Sequence, residues 1–263
     1  MPLTALQERV FHAIRTQRSP DSFVYGAIVI HFDENSPRYS RDIDLSHDLA
    51  QSVAASAEAD VQALTSAGFS VSWLLRQPSF QRAEISLEGD SVVLEWVHDS
   101  AFRFFPVESD PLLGYRLHHF DAATNKMLAL ASRAEPRDLV DAMHLHRSYL
   151  SLGTLAWAAA GKDEGLNPIM ILDLAERFAH YRQDDLDSLS LASPWDIVDL
   201  SSDWREALER SRSLIKSLPV SDIGCCYLDT QGNPVNPNPG LPEFDDLRRH
   251  FGSVGGAWPR IAD

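Results

Sequence analysis

The sequence predicts a mixed α/β (α+β) fold, with a small mixed sheet in the first half and a helical second half. Three observations carry this expectation. Strand-like apolar runs at 23–32, 69–76, 80–87 and 91–98 are interleaved with helix-like segments at 3–17 and 47–67. Glu88-Gly89-Asp90 lies between two of those runs as a hairpin signal. After about residue 120 the pattern becomes helical, with segments at 121–134, 136–150, 151–161, 168–182 and 196–217.

Each element has a local reason. Leu3, Leu6, Val10, Phe11 and Ile14 recur at helical spacing, so 3–17 reads as an amphipathic helix. Ser19-Pro20-Asp21-Ser22 is a loop, and the apolar run that follows is interrupted at Gly26. Asp33-Glu34-Asn35-Ser36-Pro37 is a cluster of turn formers. Residues 47–67 are rich in alanine and close on Gly68, as a helix with a C-terminal glycine does. Pro136 stands where the first turn of a helix accepts proline. The expected organisation is an α/β core over 1–120, a helical region over 121–230, and an irregular tail rich in Pro, Gly and Asn over 231–263.

The chain has 263 residues, enough to bury a sizeable core. No apolar run reaches the roughly 18 residues of a membrane span, and the N-terminus lacks the basic and apolar regions of a signal peptide. The only cysteines, Cys225 and Cys226, are adjacent and unsuited to pairing with each other. A cytoplasmic location is the expectation, with no membrane partner. The net charge of −15 argues against general affinity for nucleic acid. It is unevenly spread: residues 163–263 hold 18 acids against 9 bases, whereas 100–150 hold six of each, together with His118, His119, His144 and His146.

The segment most directly tied to chemistry is Arg38-Tyr39-Ser40-Arg41-Asp42-Ile43-Asp44-Leu45. In an extended chain, residues two apart point to the same side. Asp42 and Asp44 then stand together, with Ile43 and Leu45 on the opposite face. Two adjacent carboxylates repel each other and call for a cation, and hard oxygen donors suit Mg²⁺ or Mn²⁺. Such an ion commonly carries the phosphates of a nucleotide. Ser40 can face the same side and donate its hydroxyl, and Arg38 can bind a phosphate or pair with a carboxylate. Glu95, an acid inside the apolar run Val92–Val97, is the candidate third ligand, weighed against an edge-strand acid reaching water; Asp99, just past that run, is weaker.

A second constellation follows in the helical half. Lys126 and Arg133 are seven residues apart and share a helix face. A lysine on a small apolar helix can reach a triphosphate as a point charge. Arg137, Asp138 and Asp141 open the next helix, where acids also complement the helix dipole; a salt bridge within that helix is the competing reading. The histidines lack an HxxxH spacing and read as ordinary surface or core residues.

Taken together, these motifs resemble the nucleotidyltransferase family of AbiEii/AbiGii-type toxins, within the polymerase-β-like nucleotidyltransferase superfamily. The residues that carry the resemblance are Gly26-Ala27, Arg38-x-Ser40-x-Asp42-x-Asp44, Glu95, Asn125-Lys126 and Arg137-Asp138-x-x-Asp141, in that order, over roughly residues 5–150. The sequence departs from the family's glycine pair, since Ala27 stands at its second position.

The resemblance implies a nucleotidyltransferase core that the helical region completes. It implies Mg²⁺-dependent transfer of a nucleoside monophosphate from an NTP, with release of pyrophosphate. Asp42 and Asp44 would hold metal, with Glu95 as a third ligand. Lys126 and Asp141 would join Asp42 and Asp44 in catalysis. Gly26, Ala27, Arg38, Ser40, Lys126, Arg137 and Asp138 would bind the nucleotide. The implied acceptor is RNA, the 3′ end of tRNA, and the implied partner is a cognate antitoxin. Two other readings stand beside it. One is a catalytically weakened nucleotide- or partner-binding module of the same fold. The other is an aspartyl-phosphate phosphatase, whose chemistry wants the first Asp straight after an apolar strand.

Overall fold

A computed structural model of the protein describes residues 3–32 and 36–259. The turn cluster expected at 33–37 falls largely outside them. Contacts divide the chain into two compact units, the first comprising 1–101 and 106–119, the second 102–105 and 120–263.

The first unit opens with α1 (Ala5–Ile14), capped by Thr4, whose side chain accepts from the Gln7 N–H while the Gln7 side chain accepts from the Thr4 N–H. Leu6, Val10, Phe11 and Ile14 form its buried stripe. Then come β1 (Ser22–Tyr25), the short helix α2 (Ala27–Ile30), β2 (Asp42–His47) and α3 (Ala50–Ser66). A meander follows: β3 (Ser70–Gln77), β4 (Phe80–Leu87) and β5 (Asp90–His98). The strand β6 (Phe102–Arg103) belongs to the second unit, and β7 (Glu108–Asp110) and β8 (Gly114–Arg116) complete the first.

Among the described residues these strands make one seven-stranded sheet in the order β3-β4-β5-β2-β1-β8-β7. β2 is central, parallel to β5 and antiparallel to β1. The two-residue period of a strand then decides what faces where. Ile43, Leu45 and Trp96 are fully buried on one face, where α3 contributes Asp60 as acceptor for the Trp96 indole N–H at 2.7 Å. Asp42 and Asp44 alternate with them and are half-buried on the other face.

The buried face also holds a polar cluster. Arg18 and Asp60, both with fully buried side chains, form an ion pair. Arg18 Nη1 donates to Ser22 Oγ at 2.8 Å, and Ser22 lies 3.1 Å from His47 Nε2. His47 Nδ1 faces the Val97 carbonyl at 3.4 Å; a carbonyl only accepts, so the neutral imidazole carries its proton on Nδ1 and takes the Ser22 hydroxyl proton at Nε2. Burial, together with the nearby Arg18 charge, pushes His47 down to about 4.

One expectation is corrected here. The apolar run 23–32 is not one interrupted strand, because the chain turns at Gly26 and residues 27–30 form α2. All four α2 residues are buried, so the run shows no periodicity to separate strand from helix.

The second unit contains α4 (His119–Ser132), whose first residue is counted with the first unit, α5 (Pro136–Ser148), α6 (Leu152–Ala159), α7 (Pro168–Phe178), α8 (Gln183–Asp187) and α9 (Ile197–Ser217). Pro136 and Pro168 occupy first-turn positions, and Ser151, Asn167 and Asp196 cap their helices through side-chain oxygens. The C-terminal stretch adds β9 (Cys225–Leu228), β10 (Arg248–Phe251) and β11 (Ser253–Val254). β10 pairs with β9, and β11 with β6, both antiparallel. Among the described residues, no helix is long and apolar enough to cross a membrane.

Candidate functional site

On the other face of the first unit's sheet, strand register places four side chains in one row: Tyr25 beside Asp44, Asp44 beside Glu95, and Glu95 beside Arg82, from β1 through β2 and β5 to β4. Asp42 lies two residues along β2 on the same face, opposite Val93. Three carboxylates are thus brought to one patch of sheet, two by alternation along β2 and one by the parallel pairing of β2 with β5.

Gly26 closes one end of this patch. Its backbone has φ 75° and ψ −150°, a region open in practice to glycine alone. A Cβ on Gly26 would run into Asp44 Oδ2 and lie 3.2 Å from Asp44 Cγ. Position 26 therefore needs glycine twice over, for its dihedrals and for the close approach of Asp44. Position 27 has neither need: Ala27 is the first residue of α2 and is buried there. The departure from the family's glycine pair falls on the position that tolerates a methyl group.

The segment leading into β2 is fixed by its own backbone. Ser36 Oγ donates to the Arg38 carbonyl at 2.8 Å, and Gln7 Nε2 donates to the Ser40 carbonyl at 2.9 Å. Ser40 is buried and its hydroxyl donates to the Asp42 carbonyl at 3.0 Å, so Ser40 orients the start of β2. Arg38 is buried too, with Nη1 donating to the Tyr39 carbonyl at 3.2 Å. Asp42 is the first residue of β2, not the residue that ends an apolar strand, which disfavours the aspartyl-phosphate arrangement.

Hard carboxylate oxygens at i and i+2, with the backbone of a glycine closed down on one of them, fit the demands of Mg²⁺ or Mn²⁺. Glu95 is in register with Asp44 but engaged elsewhere, since Arg82 Nε lies 3.1 Å from its Oε1. Among the described residues no three His, Cys, Asp or Glu side chains converge as a ready metal-holding group.

The residues predicted in the helical half form a cluster within the second unit. Lys126 Nζ lies 2.7 Å from Asp138 Oδ1 and 2.9 Å from Asp141 Oδ2. Arg133 adds Nε to Asp138 Oδ2 at 2.6 Å and Nη2 to Oδ1 at 3.1 Å. Asp138 and Asp141 are fully buried and Lys126 nearly so. Burial alone would push Asp138 up, but the hydrogen bonds from Arg133 and Lys126 outweigh it and hold the carboxyl below its usual range. The shared face of Lys126 and Arg133 thus serves to grip Asp138 from α4. Arg137 Nε lies 3.9 Å from the exposed Glu135.

Sequence reasoning missed two charged partners. Asp121 is fully buried, accepts the Phe104 and Phe105 N–H groups at 2.8 and 3.0 Å, and pairs with Lys162 at 2.7 Å. No local pattern links residues 41 apart in sequence. Arg82 was legible. Glu88 and Gly89 both have positive φ, which marks a two-residue hairpin loop with Leu87 opposite Asp90. Counting back from that turn puts Arg82 across from Glu95.

No protein-family model and no curated protein matches the sequence. Solved structures do share its fold. JHP933 from Helicobacter pylori superposes with a TM-score of 0.51 at 14% identity, over 80% of this chain and 90% of that one. The nucleotidyltransferase toxin MenT4 from Mycobacterium tuberculosis H37Rv superposes with a TM-score of 0.53 at 14% identity, over 82% of this chain and 83% of that one. The mixed α/β fold implied by the family resemblance is therefore the fold of this protein.

Proposed function

We propose that the protein is a metal-dependent nucleotidyltransferase that transfers a nucleoside monophosphate from an NTP to the 3′ end of tRNA, as the toxin of a toxin–antitoxin or abortive-infection system. The observation that carries this reading is the pair Asp42 and Asp44 on one face of the central strand, with Gly26 closed against Asp44, in a fold shared with a nucleotidyltransferase toxin.

In this proposal Asp42 and Asp44 hold the metal, with Glu95 as a third ligand. When bound, Mg²⁺ or Mn²⁺ supplies Lewis-acid stabilisation of the phosphates and activation of the attacking hydroxyl. Gly26 and Ala27 present backbone N–H groups to the phosphates at the start of α2, and the missing side chain at position 26 makes room for Asp44 beside them. Ser40 fixes the start of β2 and hence the aim of Asp42, while Arg38 offers a guanidinium for phosphate. Lys126 is the proposed phosphate-binding cation of the second unit, Asp141 its further acid, and Asp138 and Arg137 complete the nucleotide-binding set. The contacts of Asp138 with Lys126 and Arg133 give it a concrete task, that of holding the lysine in one orientation.

The net charge of −15 makes general attraction of RNA unavailable, so the acceptor would be recognised by local residues. The test is direct. Purified protein is incubated with Mg²⁺, each labelled NTP in turn, and tRNA; label is expected in the RNA, and Asp42→Ala is expected to abolish it. Absence of transfer to any RNA, protein or small acceptor would sink the enzyme reading. A second reading has one observation in its favour: the charge of Lys126 is already matched by two buried carboxylates. A binding module of this fold would retain NTP and Mn²⁺ binding, measurable by calorimetry, without transfer.

A further inference from the structure

We infer that Arg82 is a resident counter-ion for Glu95, which holds that carboxylate until a divalent cation displaces it and so sets the metal concentration at which the site fills. The inference rests on the proposed metal-binding role of Asp42, Asp44 and Glu95 and adds a positioning residue to it.

The register demands an explanation that the metal reading alone does not supply. Asp44 and Glu95 are directly paired across parallel strands, on the same face as Asp42. Like charges set side by side are unfavourable. Yet no three acidic or other ligating side chains converge among the described residues. One strand further out, β4 pairs Arg82 with Glu95 and brings Nε to 3.1 Å from Oε1. The Arg82–Glu95 pair thus draws negative charge off the centre of the row.

The contact is built to yield. The Arg82 side chain is 42% exposed and that of Glu95 20% exposed, so water competes for both and the pair is weak. Arg82 Nε itself is shielded from water and makes no aligned hydrogen bond, so the 3.1 Å approach is proximity without the direction of a strong bond, and the exposed part of the guanidinium is what water can reach. The buried pairs elsewhere in the molecule, Arg18 with Asp60 and Lys126 with Asp138, have fully or nearly fully buried side chains. A divalent ion on Asp42 and Asp44 concentrates more charge beside Glu95 than a half-exposed guanidinium does. Arg82 then turns to solvent, where a phosphate of an acceptor is its natural partner.

The experiment is a Mn²⁺ titration of the whole protein, following unbound Mn²⁺ by electron paramagnetic resonance. It compares wild type, Arg82→Gln, Glu95→Gln, the double variant and Asp44→Asn, each checked for native circular dichroism. Arg82→Gln is expected to lower the half-saturating Mn²⁺ concentration by about three- to fivefold, the size set by an exposed ion pair. In the Glu95→Gln background the same substitution is expected to change nothing. Unchanged or weaker binding in Arg82→Gln would overturn the inference, as would an equal gain with and without Glu95, which would reduce Arg82 to a general repulsive charge. Asp44→Asn separates the two levels. Lost Mn²⁺ binding there, with no effect of Arg82→Gln, refutes the counter-ion alone. No saturable Mn²⁺ binding in the wild type refutes both it and the metal site.

Discussion

Two groups of acids in this protein meet their charge in opposite ways. On the first unit's sheet, Asp42, Asp44 and Glu95 are half-buried on one face, and a half-exposed arginine, Arg82, lies against Glu95. In the second unit, Asp138 and Asp141 are fully buried on α5 with Lys126 between them, and Arg133 closes over Asp138. The same side chain, two or three residues apart, serves as a closed structural unit in one place and as an open patch in the other. What decides is desolvation. A buried carboxylate is tolerable only if its counter-charge is built in, whereas a half-exposed one can take its cation from solution.

The largest expected effect tests the closed group. Lys126→Met leaves two buried carboxylates without their shared cation, and breaking such a pair costs about 3–5 kcal/mol. A large drop in the urea midpoint or in Tm is expected. This carries a warning for functional work, since loss of transfer in a Lys126 variant would report instability as readily as a lost phosphate contact. A Lys126→Met protein as stable as wild type would mean that the cluster is not closed at all.

The second test uses the buried face of the strand that carries Asp44. His47 has its value lowered to about 4, against about 6.5 in an unfolded chain. Between those values the unfolded chain binds a proton that the native state refuses. The stability contribution of neutral His47 is therefore complete above pH 6.5 and is lost as pH falls towards 4. The slope approaches about 1.4 kcal/mol per pH unit and the total is about 3 kcal/mol. Chemical denaturation across that window should show the slope in wild type and a shallower one in His47→Gln. Parallel curves would show that the imidazole is solvated.

How much of this was legible depends on how local its cause is. The alternation Asp42-Ile43-Asp44-Leu45 is a two-residue pattern, so the shared face of the two acids could be read directly, as could the proline and glycine signals at helix ends. The α2 turn was not, because four buried apolar residues show no period. Arg18 with Asp60, and Asp121 with Lys162, join residues 42 and 41 apart. Such pairs follow from topology, and a single sequence carries no trace of them. The Arg82–Glu95 pair lies between these extremes, fixed by a hairpin whose turn residues are visible but whose register has to be counted.

A third, smaller effect concerns the edge of the open patch. Gly26→Ala forces a side chain into a glycine-only backbone region and against Asp44. A cost of about 1–3 kcal/mol is expected, together with weakened Mn²⁺ binding as Asp44 is pushed aside. Ala27→Gly is the control. It removes a methyl group from a helical position, at about 1 kcal/mol or less, and should leave Mn²⁺ binding unchanged. Equal effects at the two positions would mean that the close approach at Gly26 has no special part in the site.

The smallest expected effect sharpens the comparison most. Asp42→Asn changes one half-buried acid at the start of β2, keeps its shape and removes one of two neighbouring negative charges. If the patch is open, folding does not depend on that charge, and stability should stay within about 0.5 kcal/mol of wild type. A slight gain is the natural sign, because Asp42 and Asp44 no longer repel each other. The urea midpoint should hold with an unchanged slope, while transfer of label to RNA is lost by about a hundredfold or more. A stability loss matching that of Lys126→Met would place Asp42 among the closed acids, and the reading of the sheet pair as a metal-binding site would fall with it.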